Sequence, residues 1–305
     1  YSACVNESMN ELSYPARLAG LNYSVREGYE GIFVDIDGYK ESAMSLYELI
    51  LDHMLEFSIT ENQFDAIKDK VVRDYENFAL SDAYMQTREL APDLFYEIKY
   101  SWKEALPVAK GSSLNEVREY SRSLYKETFL EALVYGDFAE KDGKKVVDLF
   151  NQKTSTTPIQ KEEAFEIKYL SQDKPETTQY VQKLLVNNSC FFRKYEAGKD
   201  SPETRAILTL MSKAIEQPFY TEMRTNQQLG YIVWSYPRGY DDTYYLNFLI
   251  QSGGYSANEL ASRANSFISE TPSFIRALDD ATFQGLIAVS YTHLTLPTTM
   301  VWGCG

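Results

Sequence analysis

The chain has 305 residues, 44% of them apolar, and a formal net charge of −14. That apolar content excludes a disordered chain, and the length leaves room for two domains of ordinary size. The acidic balance excludes a nucleic-acid backbone as partner, and no apolar run reaches the roughly 20 residues of a membrane span.

In chain order, residues 1–19 read as the end of a helix leading to Leu18-Ala19-Gly20. Leu21–Val25 and Ile32–Asp37 alternate apolar and polar residues around a Gly28–Gly31 turn, which predicts a hairpin. A helix follows with Ala43, Leu46, Tyr47, Ile50, Met54 and Phe57 on one face. Thr60-Glu61-Asn62-Gln63 and Ser113-Leu114-Asn115-Glu116 are capping boxes that open two further helices. Residues 81–105 are helical but irregular. Phe129–Tyr135 reads as a strand, followed by a short helix to Phe150 and a polar linker from Asn151 to Glu163. Phe165–Tyr169, Val181–Val186 and Cys190–Tyr195 are strand candidates. Ser201-Pro202-Glu203 starts a long helix with a serine cap, proline at its first position and an acid at the positive dipole end. Its stripe is Ile207, Leu210, Met211, Ala214, Ile215, Phe219 and Met223. Strands at 231–236 and 244–250 and helices near 256–270 and 278–288 complete the pattern.

The cysteines, Cys4, Cys190 and Cys304, are odd in number and widely spaced, so they form neither a disulfide framework nor a metal pattern and read as free thiols. The histidines are His53 and His293. His53 opens His-Met-Leu-Glu-Phe, with Phe57 where a second zinc-binding histidine would stand, and it borders an apolar helix face as a structural histidine does. A catalytic zinc needs three protein ligands, and these residues do not supply them.

The chain turns on Pro218-Phe219-Tyr220-Thr221-Glu222-Met223-Arg224-Thr225-Asn226-Gln227-Gln228-Leu229-Gly230-Tyr231-Ile232-Val233. It resembles the P-x-F-x-x-L-R-T-x-x-Q-L-G-Y-x-V signature in the C-terminal half of insulysin- and pitrilysin-like zinc peptidases. Weaker similarity runs back through Val134-Tyr135-Gly136-Asp137 and Leu18-Ala19-Gly20-Leu21-Asn22-Tyr23 to the first residue. The two halves also echo each other: helix, Leu-Ala-Gly-Leu-Asn-Tyr, strand, turn, strand, helix against helix, Gln-Leu-Gly-Tyr, strand, turn, strand, helix. Gly20 lines up with Gly230, which means duplicated domains. The fold class is α+β, two related domains that each pack helices on one face of an antiparallel sheet. The resemblance implies the same, in the LuxS/MPP-like metallohydrolase fold. The expected division is a third family domain over 1–152 and a fourth over 153–289. Residues 290–305, with His293 and Cys304, read as translated adaptor sequence outside the fold. The chain opens inside a predicted helix without an initiator Met, so it reads as a fragment of a longer protein, whose compartment and dimerisation this stretch does not encode.

The resemblance further implies that zinc is bound by a His-x-x-Glu-His motif in the N-terminal half of the same polypeptide, with none in this fragment. It implies peptide substrates, enclosed between the two halves, and a fragment inactive by itself. Carried over by motif, Arg224 binds a substrate carbonyl, and Tyr231, both catalytic and substrate-binding, donates to the developing oxyanion. The residues alone also allow Arg224 as a helix cap and Tyr231 as a packing aromatic. The alternatives for the whole are a non-catalytic family member acting as a binding or assembly subunit, and an unrelated α+β binding domain.

Overall fold

A computed structural model describes residues 1–169, 177–240 and 242–295, with the backbone alone at 13, 41, 92, 93 and 289–295. The elements run α1 (Ser2–Ser8), α2 (Asn10–Leu18), β1 (Leu21–Glu27), β2 (Ile32–Gly38), α3 (Lys40–Leu55), α4 (Glu61–Phe78), α5 (Ala83–Leu90) and a 3₁₀ turn (Ala91–Leu94). Then come α6 (Trp102–Gly111), α7 (Leu114–Leu124), β3 (Glu127–Thr128), α8 (Glu140–Thr154), β4 (Thr157–Pro158) and a second 3₁₀ turn (Lys161–Glu163). The remainder is β5 (Ser189–Lys199), α9 (Pro202–Tyr220), a π-helical turn (Thr221–Asn226), β6 (Ile232–Tyr240), β7 (Thr243–Ser252), α10 (Ala257–Arg276) and α11 (Asp280–Thr295). The mixture is α+β with small antiparallel sheets. Two compact units emerge, one of residues 1–77 and 96–170, the other of 78–95 and 171–305.

In the first unit the hairpin forms as its alternation dictates, with Leu21 opposite Gly38 and Val25 opposite Val34. Leu21 and Val25 are buried with Val5 of α1, Met9 between α1 and α2, and Ile50, Leu51, Met54 and Phe57 of α3 or just beyond its end. Both predicted capping boxes close. The Gln63 side chain accepts from the Thr60 N–H at 2.9 Å, and the Glu116 carboxylate accepts from the Ser113 N–H at 2.8 Å. Gly20 adopts φ +72°, and a Cβ on Gly38 would sit 2.1 Å from the Gly20 carbonyl oxygen, so this crossing of backbones admits no side chain.

The second unit holds a three-stranded antiparallel sheet in the order β5-β7-β6, with Phe191 and Val233 both opposite Ile250. β7 is central, and its near-continuous apolar run suits burial on both faces. Val233, Leu246, Phe248 and Ile250 pack with Leu208, Ile215 and Phe219 of α9 and Leu260 and Ala264 of α10. Neighbouring residues along a strand point to opposite faces. Trp234 accordingly meets Tyr84 of α5 edge-on at 5.3 Å, and Tyr245 meets Phe95 at 6.2 Å. The α5 N–H groups of Ala83 and Tyr84 are accepted by the side chains of Asn188 and Gln251 at 3.1 and 2.8 Å. Residues 78–95, which the sequence placed within the first domain, therefore belong with this sheet.

Among the described residues three predicted strands do not form. Phe129–Tyr135 is irregular, with Leu133 and Tyr135 92% and 91% exposed, and only Glu127–Thr128 pairs, parallel to Thr157–Pro158. Phe165–Tyr169 contributes a single bridge, Tyr96 to Tyr169, and Val181–Val186 is irregular with Val181 and Leu185 exposed. β-branched and aromatic composition favours a strand, but a strand exists only where a neighbour takes its N–H and C=O groups. The predicted stripe of α9 holds at Ala214, Ile215, Phe219 and Met223, with Met211 packed against it, but at its start Ile207 faces solvent, and Leu208 and Ser212 are buried instead. The final helix continues to Thr295, past the expected end near 288, while residues 296–305, including Cys304, and the His293 side chain lie outside the described residues.

Candidate functional site

The long helix α9 begins as its sequence requires. The Ser201 hydroxyl accepts from the Thr204 N–H at 3.1 Å, and Pro202 occupies the first turn. Its far end widens into the π-helical turn over Thr221–Asn226, where the Gln227 N–H bonds the Glu222 carbonyl at 3.0 Å and the Leu229 N–H bonds the Met223 carbonyl at 2.9 Å. Such single π turns recur at functional sites because they re-aim side chains out of helical register. Gln228 then takes φ +53°, in the left-handed region. Gly230 follows against β7, where a Cβ would fall 1.8 Å from the Gln251 carbonyl oxygen. Met223 and Leu229 are buried on either side and anchor the turn to the core.

This local path brings Arg224 and Tyr231 together. The Arg224 guanidinium lies 4.4 Å from the Tyr231 ring centre and 5.0 Å from that of Tyr220, and it donates to the Tyr220 hydroxyl. Tyr231 is 79% exposed, just ahead of β6, so it is not a core aromatic. Among the described residues no carboxylate pairs with Arg224 within ion-pair distance. The acid of the same turn, Glu222, is engaged elsewhere: it accepts from Asn226 Nδ2 at 2.7 Å and from Gln227 Nε2 at 2.9 Å. These amide donors, that of Asn226 foremost, hold its carboxyl below the usual glutamate range. Gln227 in turn accepts from Arg263 of α10 at 3.2 Å. An open depression of about 450 Å³ lies beside the turn, lined by Gln217, Thr221, Glu222, Asn226, Phe267 and Glu270 among others. The arrangement presents a phenol and a guanidinium at an open surface, where both can donate hydrogen bonds to a ligand. Sequence reasoning did not single out Tyr220, although its place four residues before Arg224, one helical turn, was the available signal.

His53 sits in the last turn of α3, half-buried, with Nδ1 2.8 Å from the Ser8 hydroxyl. Phe57 is inside the first core. Among the described residues no group of three or more His, Cys, Asp or Glu could hold a metal ion. The residues present do not fit the zinc centre that the resemblance implies for the full polypeptide. Cys4 is buried and Cys190 half-buried, both as free thiols, and burial pushes the Cys190 thiol up to about 12. Among the described residues no helix is long and apolar enough to cross a membrane.

Comparison with known proteins gives two family matches. A model described as the middle or third domain of peptidase M16 matches residues 1–108, and one described as the PQQ synthase PqqF-like C-terminal lobe domain 4 matches residues 210–299. Human insulin-degrading enzyme is 26% identical over 312 residues, covering 100% of this chain and 30% of the relative. A putative zinc protease of Schizosaccharomyces pombe, mug138, is 23% identical over 315 residues, covering 99% of this chain and 32% of the relative. The chain thus spans about a third of the length of these curated relatives. Among solved structures, pitrilysin superposes with a TM-score of 0.77 at 18% identity, over 97% of this chain and 31% of that one. A peptidase M16 inactive domain from Pseudomonas fluorescens superposes with a TM-score of 0.56 at 12% identity, over 95% and 73% of the two chains. The chain is thus similar to M16 peptidases, matching their third domain at its beginning and a PqqF-like domain 4 of the C-terminal lobe towards its end.

Proposed function

We propose that this chain is the C-terminal portion of a zinc metalloendopeptidase that hydrolyses peptides in an enclosed chamber, and that it supplies contacts to the substrate carbonyl and the oxyanion. The observation that carries the reading is the stacked pair of half-buried Arg224 and exposed Tyr231, with the guanidinium free of any carboxylate among the described residues. The names of the relatives, a putative zinc protease and insulin-degrading enzyme, support peptide hydrolysis by the whole polypeptide. Zinc, if the parent holds it as they imply, is bound outside this chain. Each step assigned here belongs to this chain's own side chains. Arg224 holds a substrate carbonyl through charge-assisted donors in a fixed plane. Tyr231 donates its phenolic proton in a hydrogen bond to the oxygen on which negative charge develops as the peptide carbonyl is attacked. Alone, the chain is inactive.

The test uses the complete polypeptide. Tyr231→Phe lowers kcat about 100- to 1000-fold with fold and metal content unchanged, as loss of one oxyanion donor does. Arg224→Ala raises KM, because a carbonyl contact made equally in bound substrate and transition state acts on binding. Unchanged turnover in Tyr231→Phe rejects the oxyanion role. A second reading is a non-catalytic binding or assembly subunit, since the fold is shared with a peptidase M16 inactive domain. A His-x-x-Glu-His motif in the preceding part of the polypeptide, together with measured peptidase activity, decides against it.

A further inference from the structure

We propose that Tyr220 is a positioning residue for Arg224, its hydroxyl and ring fixing the guanidinium against Tyr231 before substrate arrives; this rests on Arg224 contacting substrate as described above. The guanidinium has no carboxylate within ion-pair distance among the described residues, and Glu222, the acid of its own turn, is taken up by Asn226 and Gln227. The Tyr220 hydroxyl is the polar group that holds it, and the two phenol rings, 5.0 and 4.4 Å from the guanidinium carbon, supply the rest. Phenylalanine would provide a ring face without an acceptor. Arginine carries five N–H donors in a rigid fork, and committing one of them to Tyr220 leaves the others available for a substrate carbonyl. A long side chain left mobile would have to lose its rotamer freedom on binding, whereas one already bonded has lost it in the free protein.

The experiment is steady-state hydrolysis of a fluorogenic peptide by the complete polypeptide carrying Tyr220→Phe, Arg224→Ala or both. Phenylalanine fills nearly the same space, so the variant folds. The expected result for Tyr220→Phe is a KM roughly 3- to 10-fold higher, the scale of one lost hydrogen bond, with kcat unchanged. In the Arg224→Ala background the same substitution adds nothing. Wild-type kinetics in Tyr220→Phe, or an effect that persists undiminished without Arg224, overturns the proposal, as does a loss confined to kcat. If Arg224→Ala itself leaves KM unchanged, the reading of Arg224 as a substrate contact fails, and Tyr220 is then judged by a cryo-electron microscopy structure of Tyr220→Phe. Departure of the guanidinium from the Tyr231 ring upholds the positioning role, and an unmoved guanidinium overturns it.

Discussion

Glu222 shows how one exposed carboxylate shapes the turn that carries Arg224. Its oxygens accept two amide donors from residues four and five positions on, and Gln227 passes the connection to Arg263 and so to Glu259 of α10. Because its folded pKa is depressed, Glu222 contributes stability above the unfolded value of about 4.3, and that contribution is lost as pH falls through the lower folded value. The effect is small, since the carboxylate faces water and is screened. We expect Glu222→Gln to lower the urea midpoint of the second unit at pH 7 and to match wild type below the glutamate range. A difference between the two proteins that persists unchanged at low pH refutes this.

At the scale of elements, α9 positions the site by burying one face. Phe219 is fully buried, edge-on to Phe248 of β7 at 5.1 Å and tilted against Phe267 of α10 at 5.3 Å. Phe219→Ala opens a cavity where helix, sheet and α10 meet, and is expected to cost about 3–5 kcal/mol in chemical denaturation. Features set by neighbouring residues were legible in the sequence: the β1–β2 hairpin, the Thr60 and Ser113 capping boxes, the Ser201-Pro202 start and the glycines at 20 and 230. The signature likewise located Arg224 and Tyr231. What the sequence hid depends on distant partners. Phe129–Tyr135 and Val181–Val186 have strand composition, but no described strand pairs with them. The stripe of α9 is misread at its first position because Ile207 and Leu208 are both apolar, and only the packed sheet selects Leu208. The π turn likewise leaves no mark in periodicity, since it alters one turn only.

At the scale of the molecule, the two units are interleaved along the chain, because 78–95 leaves the first and joins the second. Tyr84→Ala, a substitution within the stretch read as the first domain, should therefore be felt in the sheet of the second. Loss of the edge-on contact with Trp234 and of the surrounding burial is expected to cost about 1–3 kcal/mol. Hydrogen exchange reads it as faster exchange of β6 and β7 amides, with the β1–β2 hairpin unaffected. Faster exchange in the hairpin alone contradicts the assignment.

That excursion of the chain bears on how the protein is made. A ribosome delivers residues 78–95 well before β6 and β7, which carry Trp234 and Tyr245, have left the exit tunnel. At about 5–20 residues per second the interval is on the order of ten to thirty seconds. For that time Tyr84 and Phe95 lack the strands they finally cover, so the nascent chain carries a greasy, unsheltered segment that invites chaperone capture, and any expression boundary drawn after residue 95 deprives the later sheet of its cover.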